Sequence, residues 1–98
     1  MRYDFEWYPK KARGNIRKHK ISFERATTIF RDPNLLSIPD EEHSKMEERW
    51  ITIGLDESGV IPVLSHTFLR VEGKASTIRL ISARRATKQE TKQYEEGI

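Results

Sequence analysis

Residues 76–94 read Ser-Thr-Ile-Arg-Leu-Ile-Ser-Ala-Arg-Arg-Ala-Thr-Lys-Gln-Glu-Thr-Lys-Gln-Tyr. The first half is apolar and rich in β-branched residues, with Thr77, Ile78, Leu80 and Ile81 interrupted by Arg79. That composition predicts a strand lying inside a sheet. The second half opens a helix, because Thr87 stands three residues before Glu90 and the two can cap each other's backbone N–H groups. Arg84 and Arg85 sit at the strand's exit. Strict alternation puts Arg79, Ile81 and Ala83 on one face and Ile78, Leu80 and Ser82 on the other. A guanidinium is always charged and costly to bury alone, so Arg79 is expected to face solvent, a carboxylate or an anionic ligand. Three arginines around one strand end suggest a phosphate site.

Working back from this strand, residues 72–74 (Glu-Gly-Lys) are expected to turn the chain from a partner strand over residues 60–69. There Val60, Leu64, His66 and Phe68 share one face, and Ile61, Val63 and Thr67 the other. The turn Asp56-Glu57-Ser58-Gly59 joins it to a strand over residues 49–55, with Ile51, Ile53 and Leu55 opposite Trp50, Thr52 and Gly54. Residues 40–48, acidic and containing His43, read as a loop. Residues 35–38 read as a short edge strand between Pro33 and Pro39.

At the N-terminus, residues 3–7 (Tyr-Asp-Phe-Glu-Trp) alternate like a half-buried strand. Pro9 starts a helix that runs to about Lys18, with Ala12 and Ile16 as a thin apolar stripe flanked by Asn15 and His19. Ser22 caps a second helix that buries Phe23, Ala26, Ile29 and Phe30 and stops at Asp32-Pro33. The expected architecture is one α+β domain over residues 1–98. It has a small antiparallel β-sheet, an N-terminal helical hairpin packed on one face, and a short C-terminal helix.

Ninety-eight residues suit a single hydrophobic core. Mean hydropathy is −0.74, polar for a folded chain, yet the apolar residues fall into clear periodic runs. Without cysteine there is neither a disulfide nor a thiolate metal site, and the three histidines lack zinc-ligand spacing, so no metal or cofactor is expected. No run spans a membrane and no signal-peptide core is present, which predicts a soluble cytoplasmic protein. The net charge of +3 is unevenly spread: residues 9–25 carry seven Lys or Arg and one acid, and residues 70–92 seven and two. Residues 39–48 instead carry five acids and one lysine. Two basic segments folded together make a positive face for nucleic acid; apart, they are ordinary solvated surfaces.

The same residues carry a family resemblance. Phe5-Glu6-Trp7, Pro9, Lys11-Ala12, Asn15 and Lys18-His19 resemble the N-terminal signature of the BrnT toxins. So do Ser22-Phe23-Glu24, Phe30 with Asp32-Pro33, Glu48-Arg49 and Ile53-Gly54. The run from Arg79-Leu80-Ile81-Ser82 through Ala83-Arg84-Arg85-Ala86, with Glu90 and Tyr94, is its most specific part. Tyr8 replaces a usual Asp, losing a helix N-cap, and Lys20 replaces a usual Gly, losing a C-cap. The resemblance implies a RelE-like fold and a type II toxin–antitoxin role. In that role an endoribonuclease blocks translation until a cognate BrnA-like antitoxin occupies it, with DNA met only through the antitoxin.

Metal-free RNA cleavage needs a base for the 2′-hydroxyl, an acid for the leaving 5′-oxygen and cations for the crowded phosphate. Arg79 is the foremost cation. Arg84 and Arg49 are the others, unless surface ion pairs engage them. His19, at a helix end beside Lys18, is a candidate acid or base, or a helix-terminal device. Glu48 is a candidate base, or the partner of Arg49 or Arg85. Substrate contacts are expected from Lys18, Arg85, His66 and Trp7, against the plainer alternatives of an ion pair or helix cap for Arg85 and a core place for His66 and Trp7. The competing functional class is a nucleic-acid-binding module without catalysis, or an inactive toxin homologue acting only with its antitoxin.

Overall fold

The computed structural model describes residues 2–73 and 75–97, and their side chains except at 2 and 69–72. The chain runs β1 (Arg2–Glu6), α1 (Pro9–His19), α2 (Phe23–Ala26), a 3-10 stretch (Thr27–Arg31) and β2 (Leu36–Pro39). After a 3-10 turn (Glu41–His43) come β3 (Arg49–Ile53), β4 (Pro62–Glu72), β5 (Ala75–Arg85) and α3 (Lys88–Glu96). The five strands form one sheet in the order β1-β5-β4-β3-β2. Strands β2 to β5 meander antiparallel, but β1 lies parallel to β5, pairing Glu6 with Arg79 and Phe5 with Ile78. The sheet is therefore mixed, not antiparallel. Antiparallel pairing of sequence neighbours sets the directions of β2 to β5, whereas the direction of β1 is set by the helical connection that carries the chain to the far edge.

The expected helical hairpin is also modified. Ser22 Oγ accepts from Arg25 N at 3.1 Å and starts the second helix as read, but only one α-helical turn follows before the chain tightens into 3-10 geometry. One face of the sheet is covered by this N-terminal helical segment. Ile21, Phe23, Ala26 and Ile29 are buried there against Leu64, Ile78, Leu80 and Ala83, with Tyr3, Phe5, Trp7, Phe30 and Phe68 around them. Fully burying a residue of this kind contributes about 1.5–3 kcal/mol, so this layer is the main source of stability.

The α1 stripe differs from expectation. Ile16 is exposed, and Asn15 is the buried residue. Its side chain donates to the carbonyls of Ile21 and Ala83, both at 2.9 Å, and accepts from Ala83 N–H at 3.0 Å. The register of β1 on β5 ends at Arg79, so Asn15 bonds the β5 backbone beyond the reach of β1. A polar residue wins this position because three hydrogen bonds offset its desolvation.

Register shifts break the alternation in β5. Ser65 pairs with Ser82 but His66 with Leu80, leaving Ile81 as an extra residue. This bulge returns Ala83 to the core face beside Leu64, where strict alternation had placed it with Arg79. The expected turn at residues 72–74 includes Lys74, which lies outside the described residues. Among the described residues no helix is long and apolar enough to cross a membrane.

Candidate active site

The face of the sheet away from the core carries a cross-strand row. Glu6 on β1 pairs with Arg79 on β5, Arg79 with Thr67 on β4, and Thr67 with Arg49 on β3. Paired residues project to the same side of a sheet, so these four side chains stand next to one another. Arg79 is held from two directions. Its Nη2 donates to the Glu47 carboxylate in a short contact, and its guanidinium lies 5.8 Å from the centre of the Tyr8 ring. The Glu47 hydrogen bond, opposed by partial burial and aided by the charges of Glu47 and Glu6, raises the Arg79 pKa still further. Arg79 is cationic at any accessible pH.

Arg49 is less satisfied. Its Nε is buried and has no hydrogen-bond partner among the described residues, and Glu47 Oε1 is 4.0 Å away. Thr67 Oγ1, between the two arginines in register, is also buried with no partner among the described residues. Orphaned polar atoms of this kind are uncommon in folded proteins and mark places where a ligand can complete the bonding. Two cations and a hydroxyl in one row, with a carboxylate bridging toward both cations, are groups that can hydrogen-bond a phosphodiester.

Glu47 belongs to the acidic loop between β2 and β3. That loop is pinned at its base: Asp40 N–H donates to the Arg49 carbonyl at 2.8 Å, and Ser44 Oγ accepts from Arg49 N–H at 2.9 Å. Ser44 Oγ also donates to the Asp40 carbonyl at 2.6 Å. Within the loop, Glu42, His43, Lys45, Met46 and Glu47 line a concavity together with Arg49. A second depression, lined by Lys11, Arg17, Lys18 and His19 of α1, borders Ile81 and Ser82 at the β5 bulge. Ser82 projects to the same side as Arg79, so the basic flank of α1 edges the open face.

The structure brings together only some of the residues expected from the sequence. Arg79 and Arg49 share the row. Lys18 and His19 lie in the neighbouring depression, outside the row. Glu48 is exposed, and the adjacent Glu47 is the carboxylate that meets Arg79. Arg84 is clamped to Glu90 by a bidentate pair of 2.8 and 2.9 Å, and Glu90 simultaneously closes the capping box with Thr87. Arg85 is exposed at the end of β5, opposite Pro62. His66 is fully buried on the core face, with Nε2 against Thr52 Oγ1 at 2.6 Å. Trp7 packs edge-on against Phe23 at 5.7 Å. Glu47, Thr67 and Tyr8 were missed, because their roles arise from pairing across strands and from a loop without periodicity. Among the described residues no group of three or more His, Asp or Glu side chains is gathered to hold a metal ion.

Comparison with known families and structures adds to this geometry. A family model described as "Ribonuclease toxin, BrnT, of type II toxin-antitoxin system" matches residues 7–90. Among solved structures, the Brucella abortus ribonuclease toxin BrnT superposes with a TM-score of 0.59 at 20% identity, over 90% of this chain and 100% of that one. At that identity the likeness concerns the fold. No curated protein gives a significant match.

Proposed function

The chain belongs to the BrnT family of ribonuclease toxins of type II toxin–antitoxin systems, and from that premise we propose that it cleaves RNA on the open face of its sheet without a metal. The observation that carries this reading is the row Glu6–Arg79–Thr67–Arg49, with its orphaned Arg49 and Thr67 donors. In the free protein Glu47 occupies the Arg79 fork. An incoming phosphate competes for that fork and for the Arg49 Nε, so both guanidinium groups stabilise charge as it builds on phosphorus. Lys11, Arg17, Lys18 and His19 extend the positive surface along the strand of RNA on either side. Arg84, engaged by Glu90, holds α3 to the sheet instead of meeting substrate.

The wider reading is a RelE-like toxin that blocks translation and is neutralised by a BrnA-like antitoxin. Leu36, Ile38, Ile51, Ile53 and Val63 form an apolar strip on the same open face, lined by Glu90 and Gln93 of α3. Ile38 is 59% exposed, and Arg49 continues the same face of β3 two residues before Ile51. An antitoxin segment with apolar side chains on this strip and an acid over Arg49 occludes the row.

Digestion of purified RNA in EDTA tests the central reading. Wild-type protein should cleave, and Arg79→Ala, with its circular dichroism retained, should lose roughly 100- to 1,000-fold in rate. Tight binding with intact RNA would leave a binding module only. Absence of growth arrest on expression would point to an inactive homologue that works in a complex.

A further inference from the structure

We propose that His43, oriented by Asp40, is the general acid of the cleavage, and that Glu47 is the general base. This rests on the RNA-cleaving reading above and gives its chemistry named atoms.

His43 Nδ1 lies 2.9 Å from Asp40 Oδ2, in a pair whose side chains are 59% and 12% exposed respectively. A mostly buried carboxylate therefore orients an exposed imidazole, taking up Nδ1–H and leaving Nε2 to carry the working proton. The pair does not sit on a loose loop. His43 N–H donates to the Asp40 carbonyl at 3.2 Å, and the Ser44 hydroxyl ties both ends of the loop to each other. The same concavity contains Glu47 and Arg49, and Glu47 reaches Arg79. Its charged groups around His43 are Asp40, Glu42, Lys45, Glu47 and Arg49. Acid, base and both phosphate cations thus converge on one edge of the open face.

The roles follow from what each group can do. An ionised carboxylate only accepts, so Glu47 is the base; an imidazolium carries a proton on each nitrogen, so His43 can give one. When a phosphodiester takes the Arg79 fork, Glu47 is released beside it. Glu47 then removes the 2′-hydroxyl proton as the 2′-oxygen attacks phosphorus. The bond from phosphorus to the 5′-oxygen breaks, and that oxygen receives the proton from His43 Nε2. The products are a 2′,3′-cyclic phosphate and a 5′-hydroxyl, and atoms and charge balance without a co-reactant. Asp40 is a positioning residue that acts through His43.

The test uses the full chain, a labelled synthetic RNA of mixed sequence and its uncleavable 2′-O-methyl copy. His43→Gln should cut the cleavage rate by roughly 100- to 10,000-fold and abolish the alkaline fall of the pH profile. Affinity for the 2′-O-methyl copy should stay within about threefold. Glu47→Gln should instead abolish the acid limb. Asp40→Asn should lower the rate by roughly tenfold to 100-fold with KM unchanged. RNA with sulfur in place of the 5′-bridging oxygen needs no acid to expel its leaving group, so it should restore His43→Gln to near the wild-type rate but not Glu47→Gln. Rescue of Glu47→Gln instead would overturn the assignment of roles. If wild-type protein cleaves and His43→Gln matches it in rate and pH profile, the proposal falls while the ribonuclease reading stands. If wild-type protein cleaves nothing, both fall together.

Discussion

His66 should make this fold lose stability on mild acidification, well before its carboxylates titrate. The imidazole is fully buried on β4, edge-on to Phe30 at 5.4 Å and Phe68 at 5.1 Å. Its Nε2 meets Thr52 Oγ1 at 2.6 Å, and Thr52 in turn meets Ser37 Oγ at 2.7 Å. Burial disfavours the charged ring and pushes its pKa from the ordinary 6.5 down to about 4. In the unfolded chain the ring takes up a proton near pH 6.5; in the folded chain it resists until about pH 4. Between those values the unfolded state binds more protons, so stability is complete above pH 6.5 and falls as pH drops. That interval of roughly 2.5 in pH at about 1.4 kcal/mol for each gives a full loss of roughly 3.5 kcal/mol. Small domains have only about 5–15 kcal/mol in all, so this is a large fraction. Urea unfolding at pH 7 and at pH 4.5 measures it, and about 2–3 kcal/mol should disappear between the two. His66→Gln keeps a hydrogen-bonding group near Thr52 but cannot titrate. It should start less stable at pH 7 and lose little on acidification. His19 and His43 are common to both proteins and cancel in the difference. An equal pH-dependent loss in wild type and variant, within about 0.5 kcal/mol, would refute the reasoning and move the acid-sensitive group elsewhere.

Three further outcomes probe other parts of the fold. The Arg84 hydrogen bonds, opposed by burial and aided by Thr87, hold the Glu90 pKa down to about 2, so their stabilisation is present above the ordinary 4.5 and lost as pH falls toward 2. Glu90→Gln keeps the capping-box geometry without the charge. Because Arg84 is 43% exposed and solvent screens the pair, the variant should be only about 1 kcal/mol less stable at pH 7, a gap closing in acid in denaturant titrations. Asn15→Ala strands the Ile21 and Ala83 carbonyls and the Ala83 N–H, and should cost roughly 2–4 kcal/mol; a loss under about 1 kcal/mol would mean water replaces the amide. Lys20, the C-cap of α1, sits at φ 62°, the left-handed region that favours glycine. Lys20→Gly should therefore stabilise by roughly 0.5–1 kcal/mol, whereas Lys20→Ala should not.

Local signals were legible in the sequence where one stretch decides its own conformation. The Thr87–Glu90 capping box, the Ser22 cap, the edge position of β2 and the strand carrying Arg79 all appear as read. Signals that depend on distant pairing were not. Nothing in residues 3–7 states that β1 runs parallel to β5. Nothing in the apolar run of β5 marks Ile81 as an extra residue, yet that bulge decides which face receives Ala83 and Arg84. The candidate site depends most on such pairing: Arg79 stands twelve residues after Thr67 and Thr67 eighteen after Arg49, yet they meet only through register, and Glu47 and His43 come from a loop with no period.

Strand β3 shows why alternation alone cannot assign an inside. Its two faces, Ile51 and Ile53 against Thr52 and Gly54, separate as the sequence predicts. Hydrophobicity would send the isoleucines to the core. Instead Thr52 and Gly54 are buried, and the isoleucines stay half-exposed on the open face. Two contacts decide the matter. Thr52 meets His66 and Ser37, so its hydroxyl is satisfied inside. A Cβ at position 54 would lie 3.1 Å from Ile29 Cβ and 3.3 Å from the Ile29 carbonyl, so the 3-10 stretch can close on the sheet only over a glycine. With the core face fixed by those two small residues, the isoleucines must face outward beside Arg49. The apolar strip is thus a consequence of how the core closes, and it leaves the cationic row bordered by hydrophobic surface that a partner can cover.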